Sequence, residues 1–284
     1  MDRVRRALRT RRIGHTGTLD PLATGILPLV VGRATRLASL LSGADKEYEA
    51  AVRLGAATLT YDAADRHGPP SPPSGIEFAD VDRALQAFRG AFEQTPPSYS
   101  AKKIDGVAAY KLARDNKPVI PRPVPVTVRT LILESYEPGL ARLRVCASAG
   151  FYVRSLAHDL GAALGCGAYL ETLRRVRAGA FGEESAVPLD SVEAEGQEAG
   201  RWMIPLEKVL PEVPAVILTD RGARRATHGN ELAPEDIAHP LPDSGMAGTG
   251  SPSGRWRLFD ASGSLLGIAE SRPGGLLHPV IVLV

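Results

Sequence analysis

Between Gly14 and Leu37 the chain reads GHTGTLDPLATGILPLVVGRATRL, and no other segment limits the fold as strongly. Three glycines and two prolines fall within residues 14–28. Glycine opens backbone angles closed to other residues and proline fixes its own, so the stretch predicts an ordered, irregular loop. His15, Thr16, Thr18, Asp20 and Thr24 hang from it. Ordering such a loop costs about 1–2 kcal/mol per residue in backbone entropy, and a plain connection does not require it. Asp20 followed by Pro21 also has a purely structural reading, a helix N-cap and first turn. Gly25 and Pro28 would then end that helix within about two turns.

Around this segment the chain has enough material for a core: 284 residues, 44% of them hydrophobic, room for one large domain and one small one. No run approaches the roughly 18 apolar residues of a membrane span, and MDRVRRALRTRRIG lacks the apolar centre of a secretory signal. A soluble, cytoplasmic monomer is expected. Cys146 and Cys166 have no CxxC partner and no His cluster at metal spacing, so both read as reduced, buried small residues and no metal site is expected.

The net charge of +2 conceals segregation. Arg3, Arg5, Arg6, Arg9, Arg11 and Arg12 open the chain, with Lys102, Lys103 and Lys111 and then Arg174, Arg175 and Arg177 further on. Acidic side chains collect between Glu183 and Glu198. Each basic group alone reads as a solvated helix face; together they make a face on which a polyanion can be positioned.

Alternation from Tyr48 to Leu54 predicts a half-buried strand with Tyr48, Ala50, Val52 and Leu54 on its apolar side. Asp80–Arg89 predicts a helix capped by Asp80, and a second helix is expected over Gly106–Arg114. Leu131–Glu137 and Ala141–Ala147 read as a hairpin turning at Pro138 and Gly139, followed by an amphipathic helix from Val153 to Leu164. Strands and helices in mixed order point to an α+β fold. From about Pro205 the segments become short, β-rich and turn-separated, which predicts a small C-terminal β-barrel.

GHTGTLDPLATGILPL resembles the signature of the TruB family of pseudouridine synthases, in which the Asp of this run is the essential carboxylate; here it is Asp20. KEYEAAVRLG from Lys46, PPSYSAKKIDGVAAYKLAR from Pro96, GFYVRSLAHDLG from Gly150 and TLRRVRAG from Thr172 follow in the family's order. The resemblance implies a pseudouridine-synthase fold over residues 1–204, with a mixed, mostly antiparallel sheet flanked by helices. It also implies an insertion over 95–125 that clamps RNA, and a PUA-like RNA-binding domain over 205–284. The implied partner is tRNA, whose T-loop uridine (position 55) is isomerised without a cofactor.

By the same resemblance Arg154 supplies the positive charge that keeps Asp20 ionised beneath a nucleobase, and Tyr48 stacks on the target uracil. Tyr152 and Leu173 line the uracil pocket, and His15 stacks where the flipped nucleotide leaves. Lys102, Lys103, Arg174 and Arg175 bind RNA, the last two at the rim of the site. Without the resemblance, Arg154 reads as a polar-face residue with His158 four positions on, and Tyr48, Tyr152 and Leu173 as core. Family members begin further upstream, with a strand and a basic K-P-x-G segment, so Met1 is expected to be a misplaced start. Two other readings are a non-catalytic tRNA-binding or tRNA-folding protein, which does not need Asp20, and an N-glycosidic hydrolase, which needs a placed water and usually a second carboxylate.

Overall fold

The computed structural model describes residues 1–100, 103–104, 107–108, 121–240 and 254–284. In chain order its strands are β1 (Ile13–His15), β2 (Ala23–Gly25), β3 (Leu29–Val31), β4 (Lys46–Leu54), β5 (Gly90–Gln94), β6 (Lys103–Ile104), β7 (Val107–Ala108) and β8 (Val124–Glu137). They continue with β9 (Leu140–Ala147), β10 (Ala168–Ala178), β11 (Phe181–Gly182), β12 (Ala215–Leu218), β13 (Ile237–Pro240), β14 (Arg255–Phe259), β15 (Leu265–Arg272) and β16 (Leu276–Val282). The chain divides into two compact units, one of Gly17–Pro28 with Ser42–Ala186, the other of Met1–Thr16, Leu29–Leu41 and Val187–Val284.

The unit that holds Asp20 is built on a sheet of order β11-β10-β4-β9-β8-β5. All pairings along that path are antiparallel, and β2 adds to β10 in parallel. This is the expected mixed, mostly antiparallel α+β sheet. Helices Phe78–Leu85 and Val153–Ala163 cover it, because each carries apolar residues at three- and four-residue spacing. Val81, Leu85, Leu156 and Leu160 are fully buried against Val52, Leu54, Leu143 and Val145 in one core. Each such leucine contributes about 1.5–3 kcal/mol of burial free energy.

Two local expectations change. Asp80 is not the cap of its helix but lies in the first turn, where its Oδ2 accepts the Glu77 N–H at 3.0 Å. The helix starts two residues earlier because Glu77, in extended conformation, provides the N-cap position. The helix expected over Gly106–Arg114 meets Val107–Ala108 paired antiparallel with Lys103–Ile104, as a short ladder; residues 106 and 109–114 lie outside the described residues.

In the other unit β1 pairs with β3, and a five-stranded sheet runs β13-β12-β14-β15-β16. Leu37, with Leu40 and Leu41, shares a core with Val209, Phe259, Ile268 and Leu283. Residue 204 therefore lies inside this unit, together with segments from the start of the chain. The strands expected to close into a barrel form an open sheet among the described residues, since the end strands β13 and β16 do not pair. Closure requires edge strands to meet at a fixed stagger, which strand-and-turn patterning does not encode. Helix Asp220–Thr227, capped by the Thr219 hydroxyl accepting the Gly222 N–H at 3.1 Å, was not foreseen in the sequence. Its arginines obscure an apolar face as small as Ala223 and Ala226, which pack on Leu218, Trp256 and Leu258.

Candidate active site

Asp20 opens a β-turn rather than a helix. The Ala23 N–H donates to the Asp20 carbonyl at 2.9 Å, and Pro21 occupies the second turn position, where its fixed φ fits. The chain then leaves along β2, with Ala23, Thr24 and Gly25 in register with Leu173, Arg174 and Arg175 of β10. The N-cap reading of Asp20 fails for that reason: no helix starts at Pro21, and the carboxylate is free to face elsewhere.

It faces Arg154. Nε of the guanidinium donates to Oδ2 and Nη2 to Oδ1, both at 2.8 Å, a two-pronged pairing that fixes the plane of the carboxylate as well as its position. The Arg154 side chain is 5% exposed and that of Asp20 27%, so the arginine is the buried support and the carboxylate the accessible group. The remaining Arg154 nitrogen, Nη1, donates to the carbonyls of Tyr99 at 3.0 Å and Thr60 at 3.2 Å, and lies 3.7 Å from the Asp62 carboxylate. The polar-face reading of Arg154 is thus overturned.

Arg154 is the second residue of its helix, after the Tyr152 N-cap position. A cation there opposes the helix macrodipole, so two carboxylates and two carbonyls offset a local penalty. Asp62 is itself 4% exposed and is held by the Thr60 hydroxyl at 2.7 Å and the Ala64 N–H at 3.0 Å. Between them Tyr61 takes a left-handed φ of 63° and stacks on His158 at 3.9 Å between ring centroids. Packing holds this strained turn in the form that points Thr60 and Asp62 at the guanidinium.

A cleft opens over Asp20 between the Thr18–Asp20 segment, Tyr48, the Phe151–Val153 segment and Leu173. Tyr48 comes from β4, directly opposite Arg175 of β10 and Val145 of β9. Burial pushes its phenol above the ordinary tyrosine value, while the charge and hydrogen bond of Arg175 pull the other way. Burial likewise raises the Tyr152 phenol. The Tyr152 backbone is pinned by Gln94, which is 1% exposed: its Nε2 donates to the Tyr152 carbonyl at 3.0 Å and its Oε1 accepts the Tyr152 N–H at 2.8 Å.

The structure therefore brings Asp20, Tyr48, Tyr152, Arg154 and Leu173 together. His15 belongs to the other unit, on β1 opposite Leu29 of β3. Arg174 is exposed and paired with Glu183 at 2.6 Å. Arg175, expected at the rim as an RNA contact, is instead 1% exposed, because its side chain turns inward to main-chain carbonyls of the Asp20 loop. Lys102 and the Lys103 side chain lie outside the described residues. Asp62 and Gln94 went unrecognised in the sequence. Asp62 caps the short turn Ala63–Asp65 and reads as nothing more, and Gln94 is a strand-end glutamine with no motif around it.

Gly25 gives a direct test of the loop. It has a φ of 90°, and a Cβ there would stand 2.2 Å from the Arg175 carbonyl oxygen. Gly25→Ala is expected to push β2 off β10 and lower activity about 100-fold, the scale of a 1 Å misplacement of a reacting group. Circular dichroism should still show a folded chain, and wild-type activity in this variant would count against the loop as the site.

A family model described as TruB family pseudouridylate synthase (N terminal domain) matches residues 5–153, and one for the tRNA pseudouridylate synthase B C-terminal domain matches residues 154–211. The tRNA pseudouridine synthase B of Solibacter usitatus (strain Ellin6076) is 39% identical over 100% of this chain and 94% of its own length. That of Burkholderia mallei (strain NCTC 10247) is 42% identical over 99% and 91%. Among solved structures, a Cbf5-Nop10-Gar1 complex contains a chain with a TM-score of 0.71 at 25% identity, covering 99% of this chain and 79% of that one. An H/ACA RNP bound to a substrate RNA containing 2′-deoxyuridine gives 0.69 at 24% identity, with the same coverage, and shows the fold alone. The fold is that of a pseudouridine synthase. Within that class the chain belongs to the TruB family.

Proposed function

We propose that this chain isomerises a uridine of transfer RNA to pseudouridine, at the T-loop position, with Asp20 as the catalytic carboxylate. One observation carries the assignment of the residue: a carboxylate held in a fixed plane by a buried arginine at the floor of a cleft walled by Tyr48, Tyr152 and Leu173. The names of the relatives, each a tRNA pseudouridine synthase B, support the reaction and the substrate.

In the reaction the bond between C1′ and N1 breaks, the base turns, and C1′ joins C5; the C5 hydrogen leaves as a proton and N1 gains one, so atoms balance. A stacked base exposes neither bond, and the target nucleotide must leave the loop and enter the cleft. Arg154 holds both oxygens of the Asp20 carboxylate and supplies the countercharge beside it when solvent is excluded. Tyr48 offers a flat face to the uracil and a hydroxyl at its tip. Tyr152 and Leu173 bound the space in which the detached base rotates. His15 stacks at the exit of the flipped nucleotide, and Lys102, Lys103 and Arg174 contact backbone phosphates, with the C-terminal sheet as a further RNA-binding surface of PUA type. Affinity then falls with rising salt as phosphate contacts release counterions.

The test is to incubate the full chain with an unmodified tRNA transcript and map pseudouridine along it. Modification of the T-loop uridine alone is expected. Free uracil in the supernatant would replace the isomerase by a hydrolase of the N-glycosidic bond, and tight binding without any modified base would leave a tRNA-binding protein.

A further inference from the structure

Arg175 is a full-length cation with 1% of its surface exposed. Unlike Arg154 and Arg174, which pair with Asp20 and Glu183, it forms no salt bridge to a carboxylate among the described residues. Besides its hydrogen bond to Tyr48, its bonds go to main-chain carbonyls at the two ends of the Asp20 loop. Nε donates to the Ile26 carbonyl at 2.9 Å and Nη2 to the Gly17 carbonyl at 3.3 Å. The Arg175 carbonyl in turn accepts the Ile26 N–H at 2.9 Å. In register, Arg175 lies between Gly25 of β2 on one side and Tyr48 of β4 on the other. Gly25 fits this arrangement: a Cβ there would strike the Arg175 carbonyl at 2.2 Å, whereas one at Gly17 would meet Nη1 at 3.5 Å, an ordinary contact.

Burying an unpaired guanidinium is costly, and an apolar side chain would fill the same volume without that cost. What an apolar residue lacks is the planar fork, whose divergent N–H groups reach two carbonyls at once; an ammonium is a single point donor. We propose that Arg175 is the positioning residue of the site, tying both ends of the Gly17–Ile26 loop to β10 beside Tyr48 and so setting Asp20 and Tyr48 in one geometry. The proposal rests on the isomerase reading above. It replaces the RNA contact expected from the sequence by a role exerted through Asp20.

The experiment measures single-turnover pseudouridine formation and tRNA affinity for the full chain carrying Arg175→Lys or Arg175→Met, each at a temperature well below its own melting point. Both variants are expected to lose about 100-fold or more in rate at saturating enzyme, while the Kd for tRNA stays within about threefold of wild type. Lysine keeps the charge and most of the volume, so it would rescue a residue that only stabilises the fold; it does not rescue the clamp. Should the methionine variant fail to fold, the lysine variant carries the test alone. A lysine variant with the wild-type rate overturns the proposal. So does a variant that keeps its rate and loses affinity in proportion to salt, which would make Arg175 an RNA contact after all. Wild type that forms no pseudouridine would sink the functional reading itself, a result separable from either of these.

Discussion

Asp20→Asn is expected to lower the single-turnover rate of pseudouridine formation by about 10⁴-fold or more, the scale on which removal of a group acting directly on the reacting atoms is felt. The substitution keeps shape and volume but removes the charge. The asparagine can accept one bond from Arg154 through its oxygen, but its amide nitrogen meets another donor where Oδ1 or Oδ2 met one before. Because Asp20 is supported by Arg154 and by its own turn, and is not a core residue, the variant should fold and bind tRNA with an affinity close to wild type. Rate and affinity measured on one preparation separate the two effects, and turnover at more than a tenth of the wild-type rate would remove Asp20 from its role.

Arg154→Met should be the more damaging substitution, since it fails in two ways. It strips Asp20 of both hydrogen bonds, and it leaves the carboxylate of Asp62, 4% exposed, and the carbonyls of Thr60 and Tyr99 without their cation. Breaking a buried ion pair by deleting one partner costs about 3–5 kcal/mol, much of a domain's stability, so a marked drop in melting temperature is expected together with loss of activity. Arg154→Lys separates the two effects. It restores a positive charge and much of the stability, but a single ammonium cannot hold both oxygens of Asp20 in plane, and the rate should remain about 100-fold low. A lysine variant of full activity would show that charge alone suffices.

The sheet and the main helix could be read from periodicity because their signals are local: Tyr48, Ala50, Val52 and Leu54 alternate, and Val153, Leu156 and Leu160 recur at helical spacing. Asp20 stands out through the glycines and prolines around it, although Asp20–Pro21 reads equally as a helix cap. Arg154 could not be told from a surface arginine, because its partners lie 134, 94 and 55 residues away. The same holds for Arg175, whose inward turn depends on a loop some 150 residues earlier in the chain, at a separation of 149 from Ile26. The C-terminal unit shows the limit from another side. A change in texture near Pro205 marks new strands, but nothing local tells that Leu37 will enter their core or that β13 and β16 will stay unpaired among the described residues.

A structure of the Asp20→Asn chain bound to a T-stem-loop RNA reads the central point without kinetics. The target uridine should be out of the RNA stack, its uracil against the Tyr48 ring, with the residue 20 side chain about 3–3.5 Å from the ribose or base atom it acts on. A uridine still stacked within its loop, or one bound with residue 20 facing away and Arg154 turned to the phosphates, would contradict it.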